Sequence, residues 1–323
     1  MTYNILMIGK PGGNLVRTYE WHIEALNSDK NGRFRVNDLH SMQQDQVDVR
    51  NYDIFWFYAK AFHPSMYHQI RQIRPDAKVI CGPNVMLDKP DVGPSDDWDK
   101  WYVNNCEPDM HLDQVHFYSE HVKKFLSEEV KSKARCLDKC MKIDDSLYLE
   151  NSAKLYDCLV YSKKRRYDYN FEIFRDKLLN LLKKNGITYY EIKAGKFGSY
   201  EREDYFNALN QSKITVNLSL DECPGILNYE SMFFNVPVIG SRHNVPVNSS
   251  DLLYVEDTDY MTKKYLVRKE DAAEKYLAKI KEILSHDTKK LESRKFIKGH
   301  TSFASYCARV DSLLRSLYED SSQ

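Results

Sequence analysis

The 323-residue chain has no apolar run approaching the roughly twenty residues that span a bilayer, so no transmembrane helix is expected. Its start, MTYNILMIGKPGG, lacks a basic leader and carries too short an apolar run for a signal peptide. That start reads as a first strand, and a cytoplasmic location is expected. An excess of one charge is also missing: Lys plus Arg is 47 and Asp plus Glu is 47. A zero net charge argues against a dedicated nucleic-acid binder, whose footprint is basic. The seven cysteines are odd in number and scattered, which does not suggest a disulfide framework. Cys136 and Cys140 have no second pair to complete a zinc site. His111, His116 and His121 recur every five residues, matching neither a helix face nor a strand face. No internal repeat and no low-complexity tract is visible.

What is present suits two globular α/β domains. The apolar fraction is 42%, enough for a core in each half. Tyr3 to Ile8 is a strand, a glycine-rich turn follows, and Leu15, Tyr19, Ile23 and Leu26 then fall at helical spacing. Tyr52 to Tyr58 is a continuous apolar run of the kind buried on both faces of a sheet. Lys78 to Cys81 and Gln114 to Tyr118 are further strands, with a helix from Pro64 to Ile73 before them. The stretch 84–112, rich in Asp, Pro and Asn, reads as a long loop. The pattern restarts after 144–154. Cys158 to Tyr161 is a strand, Asn170 caps a helix carrying Phe171, Phe174, Leu178 and Leu182, and Gly186 ends it. Strands at Ile187–Ile192, Ile214–Leu218, Val236–Ile239 and Leu252–Val255 alternate with helices through Ala272–Leu284. Alternation in both halves predicts two parallel-sheet domains, 1–150 and 151–300.

In open sheets of this type a ligand sits beyond the carboxyl ends of the strands. Three motifs lie there. Gly9-Lys10-Pro11-Gly12-Gly13 follows the first strand. It is either a tight turn or, through Gly12 and Gly13, a close approach to an anion at the next helix. It is not a dinucleotide fingerprint, because the G-x-G-x-x-G spacing is absent. Lys163-Lys164-Arg165-Arg166 follows the strand at Cys158, and is either a solvated cluster or a set of partners for a diphosphate. The third motif runs Asp221-Glu222-Cys223-Pro224-Gly225-Ile226-Leu227-Asn228-Tyr229-Glu230. A strand leads into it, and Pro224 and Gly225 open a helix whose free amides around Gly225, Ile226 and Leu227 suit phosphate or sugar oxygens. Glu222 and Glu230 are acceptors for sugar hydroxyls.

This third segment resembles the donor-site signature of retaining GT-B glycosyltransferases, family four in particular. That signature is a Glu, seven residues, a second Glu, then a short helix and a Pro-Val-Ile strand, as at Pro237-Val238-Ile239. The resemblance is specific over about 155–260. It implies a GT-B fold of two facing Rossmann-like domains with parallel sheets and an inter-domain cleft. The N-terminal domain takes the acceptor, the C-terminal domain takes the donor, and a last helix at about 301–318 packs back on the first. It implies transfer of a sugar from a UDP- or GDP-linked donor to a hydroxyl of a glycan or other acceptor, with retention and in glycan biosynthesis. By the resemblance Glu222 contacts the donor sugar and Glu230 the ribose, with the backbone from Pro224 to Leu227 along the sugar and diphosphate. Lys163 stands where the family has an arginine. The family's lysine falls on Asp168, so Arg165 or Arg166 is expected to replace it. Tyr200, in Phe197-Gly198-Ser199-Tyr200, stands beside the base. No cofactor is expected. No metal is expected either, because the acidic doublets Asp96-Asp97 and Asp144-Asp145 lack strand context. His63, after the strand ending at Tyr58, is a candidate to orient the acceptor. Two alternatives remain: a GT-B nucleotide-sugar epimerase and a non-catalytic sugar-nucleotide binding subunit.

Overall fold

A computed structural model describes residues 2–9, 15–40, 42, 47–58, 64–82, 114–117, 134–164, 168–195, 199–219, 226–241, 252–255, 258–262, 265–285 and 292–319. They fall into two compact units. The chain passes from the first to the second at 142/143 and returns at 298/299.

The first unit holds a six-stranded sheet of β1 (Tyr3–Ile8), β2 (Phe34–Asp38), β3 (Ile54–Phe57), β4 (Lys78–Cys81), β5 (Gln114–Phe117) and β6 (Ala134–Cys136). Their order is β2-β1-β3-β4-β5-β6, and every pair is parallel. β3 and β4 are buried at every position, which explains why their sequences show no alternation. Helices α1 (Leu15–Asn27) and α2 (Pro64–Ile73) connect the first strands. The last helix of this unit, α8 (Phe303–Glu319), comes from the far end of the chain. Its buried stripe of Tyr306, Val310, Leu314 and Leu317 repeats at helical spacing. It lies along α1, where Tyr306 packs on the His22 ring at 4.7 Å and the Cys307 thiol donates to the Ala25 carbonyl. Arg33 bridges Asp29 and Asp311, tying α8 to the start of β2.

The second unit holds β7 (Tyr156–Lys163), β8 (Tyr189–Ala194), β9 (Ser212–Asn217), β10 (Val238–Ser241) and β11 (Leu252–Val255), in the order β11-β10-β9-β7-β8, again all parallel. Helices α3 (Phe171–Lys184), α4 (Arg202–Gln211), α5 (Ile226–Phe233) and α6 (Ala272–Leu284) intervene, and α7 (Ser293–His300) leads back to the first unit. Val160, Phe174, Leu178, Val216, Tyr276 and Ile280 belong to one core under this sheet. Helix α3 ends as expected. Gly186 takes a positive φ of 65°, its amide bonds to the Lys183 carbonyl, and Ile187 reaches back to Leu182. Its start departs from expectation. Asn170 makes no side-chain cap, because its amide is committed to Arg268 instead. The sequence reading also lacked the antiparallel pair β12 (Thr258–Thr262) and β13 (Tyr265–Arg268), together with β6 and α7.

One position, at the carboxyl end of β1, has no room for a side chain. A Cβ on Gly9 would lie 2.9 Å from the Tyr19 ring. Tyr19 cannot yield easily, since its hydroxyl donates to Asp38 at 2.5 Å and its ring meets Tyr58 edge-on. Gly9→Val is therefore expected to destabilise the protein by about 1–3 kcal/mol through overpacking. Gly32→Ala serves as the surface comparison, since an added Cβ there meets nothing within 4 Å although its φ is 60°. Urea titration of both variants checks this, and the larger loss is expected at Gly9 despite the left-handed backbone at Gly32.

Candidate functional site

The two sheets share a feature that locates the site within each unit. In the first unit the chain leaves β1 toward β2 on one side and leaves β3 toward β4 on the other. In the second it leaves β7 toward β8 and β9 toward β10, again in opposite directions. Connections that diverge leave the carboxyl ends of the two strands uncovered, and such a switch point is where open α/β sheets bind ligands. In the first unit the switch lies between β1 and β3, and the segments following them contain Gly12, Gly13 and His63. In the second it lies between β7 and β9, followed by the basic run and by the Glu222 segment. Gly12, Gly13, His63, Arg165, Glu222, Pro224 and Gly225 lie outside the described residues.

Among the described residues the second switch point is the richer. Lys163 is the last residue of β7 and pairs in register with Ala194. The ammonium of its neighbour Lys164 sits 2.7 Å from both carboxylate oxygens of Glu172 on α3. This pair ties Lys164 to the first turn of α3.

Across the switch, Leu218 donates its amide to the Tyr161 carbonyl and so extends β9 along β7. The Asn217 side chain donates to Asn228 on α5 at 2.9 Å and accepts from the Ser219 amide at 3.0 Å. All three residues are fully buried. This polar lock sets the start of α5, where Ile226 and Leu227 open the helix with amides not needed inside it. Glu230 lies one turn further on and is 4% exposed. Its carboxylate accepts from Arg202 at 2.7 Å. Arg202 opens α4 and lies over the Phe206 ring at 4.6 Å, so stacking and charge hold it together.

An aromatic cluster completes this side. Tyr200 is 38% exposed, meets Tyr161 edge-on at 6.2 Å and tilts against Tyr205 at 5.6 Å. Tyr205 is buried, and burial together with the nearby Glu230 charge pushes its phenol well above the usual range. It stays neutral beside the carboxylate at any physiological pH. Tyr200, Arg202 and Glu230 thus place a ring, a guanidinium and a carboxylate around one another, a set able to stack on a planar group and accept from hydroxyls.

Two functional candidates escaped sequence reasoning. Arg202 carries no motif, and only its helical start beside Tyr200 hints at it. The other is Arg268, the last residue of β13, which is 1% exposed. Its guanidinium bonds to Asp168 at 3.2 Å and to the Leu218 carbonyl at 2.5 Å, and lies 4.4 Å above the Phe174 ring. Asp168, the residue aligned with a family lysine, is thus half of a buried ion pair. No signal in the sequence joins two residues a hundred positions apart. Among the described residues no cluster of His, Cys, Asp and Glu suits a metal ion, and no helix is long and apolar enough to cross a membrane.

No family model matches the chain, and no curated protein sequence matches it. Solved structures do resemble it. A sucrose-phosphate synthase from Thermosynechococcus elongatus is 12% identical, with a TM-score of 0.55 over 99% of this chain and 100% of that one. The lipopolysaccharide outer core galactosyltransferase WaaB is 10% identical, with a TM-score of 0.55 over 97% and 99%. A chain of the GtfA/B complex is 12% identical, with a TM-score of 0.55 over 86% of this chain but only 59% of its own. The chain therefore spans less than two thirds of that protein's length. These likenesses show that the two parallel-sheet α/β units form the GT-B glycosyltransferase fold.

The Arg202–Glu230 pair has a checkable energetic consequence. Removing the guanidinium takes the ion-pair partner from a buried carboxylate, while the partial exposure of Arg202 moderates the loss. Arg202→Ala is expected to lower stability by about 1–2 kcal/mol, and Arg202→Lys by less. Chemical denaturation of the three proteins measures the difference.

Proposed function

We propose that the protein is a glycosyltransferase that moves a sugar from a nucleoside diphosphate sugar, UDP- or GDP-linked, to a hydroxyl of a glycan or small acceptor. The reading rests on one observation above the others. Lys163 ends β7, and α5, which carries the paired carboxylate of Glu230, follows β9, so both belong to the two strands that flank the second unit's switch point. A diphosphate needs fixed positive partners, and a ribose needs a hydrogen-bond acceptor. The GT-B fold lends support without deciding the substrate.

In this reading the second unit holds the donor and the first holds the acceptor, with Gly12, Gly13 and His63 at its switch point. Glu230 accepts from the ribose hydroxyls, Tyr200 lies beside the base, and Glu222 accepts from the sugar. Arg165 stands as a further partner of the diphosphate, and Pro224, Gly225, Ile226 and Leu227 line the phosphates with main chain. Departure of the nucleotide breaks the bond from the anomeric carbon to the β-phosphate oxygen, leaving positive charge on the sugar and negative charge on the diphosphate. Lys163 and the amides of α5 are fixed before the reaction, so they stabilise that charge without reorganising. The acceptor oxygen bonds to the anomeric carbon on the face that the phosphate leaves. Its proton passes to the departing phosphate oxygen, giving retention. The chain's own cations and amides take the developing charge, so the proposal invokes no metal.

Calorimetric binding of UDP and GDP, followed by transfer assays over an acceptor panel, tests this. Lys163→Ala is expected to weaken the preferred nucleotide about tenfold or more, the value of one charge-assisted hydrogen bond, whereas Lys164→Ala leaves it nearly unchanged. Equal and negligible effects would return the whole basic run to the surface.

The glutamates separate into two roles. Glu230→Gln should weaken the bare nucleotide by about 1.5–3 kcal/mol whichever sugar is attached. Glu222→Gln should lower turnover while leaving bare nucleotide binding intact, because free nucleotide has no sugar to feel it. Parallel loss of bare nucleotide in both variants would show that the roles are misassigned, and no change in either would end the glycosyltransferase reading of this segment.

A further inference from the structure

We infer that Arg268 is a positioning residue for the second unit's switch point, holding the segment after β7 and the segment after β9 in one geometry; this rests on the reading of that switch point as the donor site. Arg268 sits at the end of β13, outside the main sheet, yet its guanidinium reaches residues that follow both strands of the switch. One contact is the Asp168 carboxylate, five residues past the end of β7. The other is the carbonyl of Leu218, the residue immediately after β9. Its backbone adds a reciprocal pair with Asn170: the Arg268 amide donates to the Asn170 oxygen at 2.8 Å, and the Asn170 nitrogen donates to the Arg268 carbonyl at 3.1 Å. One residue therefore grips the entry to α3 at two points and the exit of β9 at a third.

The contacts continue without a break. From Leu218 the buried bonds of Ser219, Asn217 and Asn228 run into α5, two residues before Glu230. A buried polar ladder thus links the segment bearing the basic run to the helix bearing the ribose carboxylate. Both acceptors are met by one guanidinium nitrogen, Nη2, whose two hydrogens are held in the guanidinium plane and so point in fixed directions, whereas the donors of an ammonium rotate. The Asp168–Arg268 pair is fully buried, and such a pair contributes little to stability compared with apolar residues of similar size. Its contribution is to geometry, since the segments it holds lie beyond the sheet ladder.

That difference supplies the test. The double variant Asp168→Leu/Arg268→Met removes both charges together and avoids stranding either one. Its melting temperature is expected to stay within about 5 °C of the parent. Hydrogen exchange in the ligand-free protein is expected to rise at least about tenfold at 168–170, 217–219 and 226–230, with 272–284 unchanged. Affinity for UDP or GDP, whichever the parent binds, is expected to fall at least about tenfold. Arg268→Lys, with Asp168 intact, should fall between the two. Unchanged exchange and unchanged nucleotide affinity in a stable double variant would overturn the inference. So would a double variant that fails to fold, because the pair would then belong to core stability. If the parent binds neither UDP nor GDP, the donor reading fails by itself, and the exchange pattern of the ligand-free proteins still decides whether Arg268 positions these segments.

Discussion

A parallel strand can be followed by its neighbour only through a crossover, and crossovers in these sheets take one hand. That constraint governs the rest of the molecule. Both units start in the middle of their sheet, build outward on one side, then return and build on the other. At such a return the connections of two adjacent strands diverge, and open α/β sheets bind ligands beyond those strand ends. In the first unit that position begins at Gly9, where an added Cβ would lie 2.9 Å from the Tyr19 ring. In the second it carries Lys163 and the approach to α5. Placement of chemistry here needs no special fold element, only side chains at the end of the right strands.

Apolar burial and polar bonding divide the labour within the second unit. The sheet and its covering helices are fixed by residues such as Val160, Leu178 and Tyr276, whose burial is non-directional and tolerant of exchange. Just beyond the sheet, described polar residues are buried as well. There, direction comes from hydrogen bonds with strict geometry, from Asn170 to Arg268 and from Asn217 to Asn228. The Arg202–Glu230 pair extends the same logic outward, with one face of the guanidinium on Phe206 and its nitrogen on the carboxylate. Sheet geometry decides where a ligand can sit, and polar bonds decide how the groups around it are aimed.

The central strands were legible because burial on both faces writes a continuous apolar run, as in Tyr52 to Tyr58, and α3 and α6 because their apolar stripes repeat at helical spacing. The double glutamate segment was legible because its spacing is a sequence property. Other parts left no such mark. β6 has three residues and α7 carries a short polar sequence, so neither produces a period. The β12–β13 pair offered no alternation clear enough to read. Asn170 looked like a cap because its type and place are right for one, and only the distant backbone of Arg268 shows why it does something else. Arg268 itself reads as surface charge. Its burial depends on Asp168, Leu218 and Phe174, which lie together only after the sheet has formed.

The first unit is discontinuous in sequence: α8, drawn from the last residues described, packs on α1, drawn from nearly the first. The second unit is built from one uninterrupted stretch of the described chain between them. On the ribosome the order of synthesis is therefore not the order of completion. Residues of the second unit can gather their whole core as they emerge, while the older segment waits with the face of α1 around His22 and Ala25 uncovered until α8 arrives. A stall or a nick near the end of α7 would spare the later-made unit and cripple the one made first.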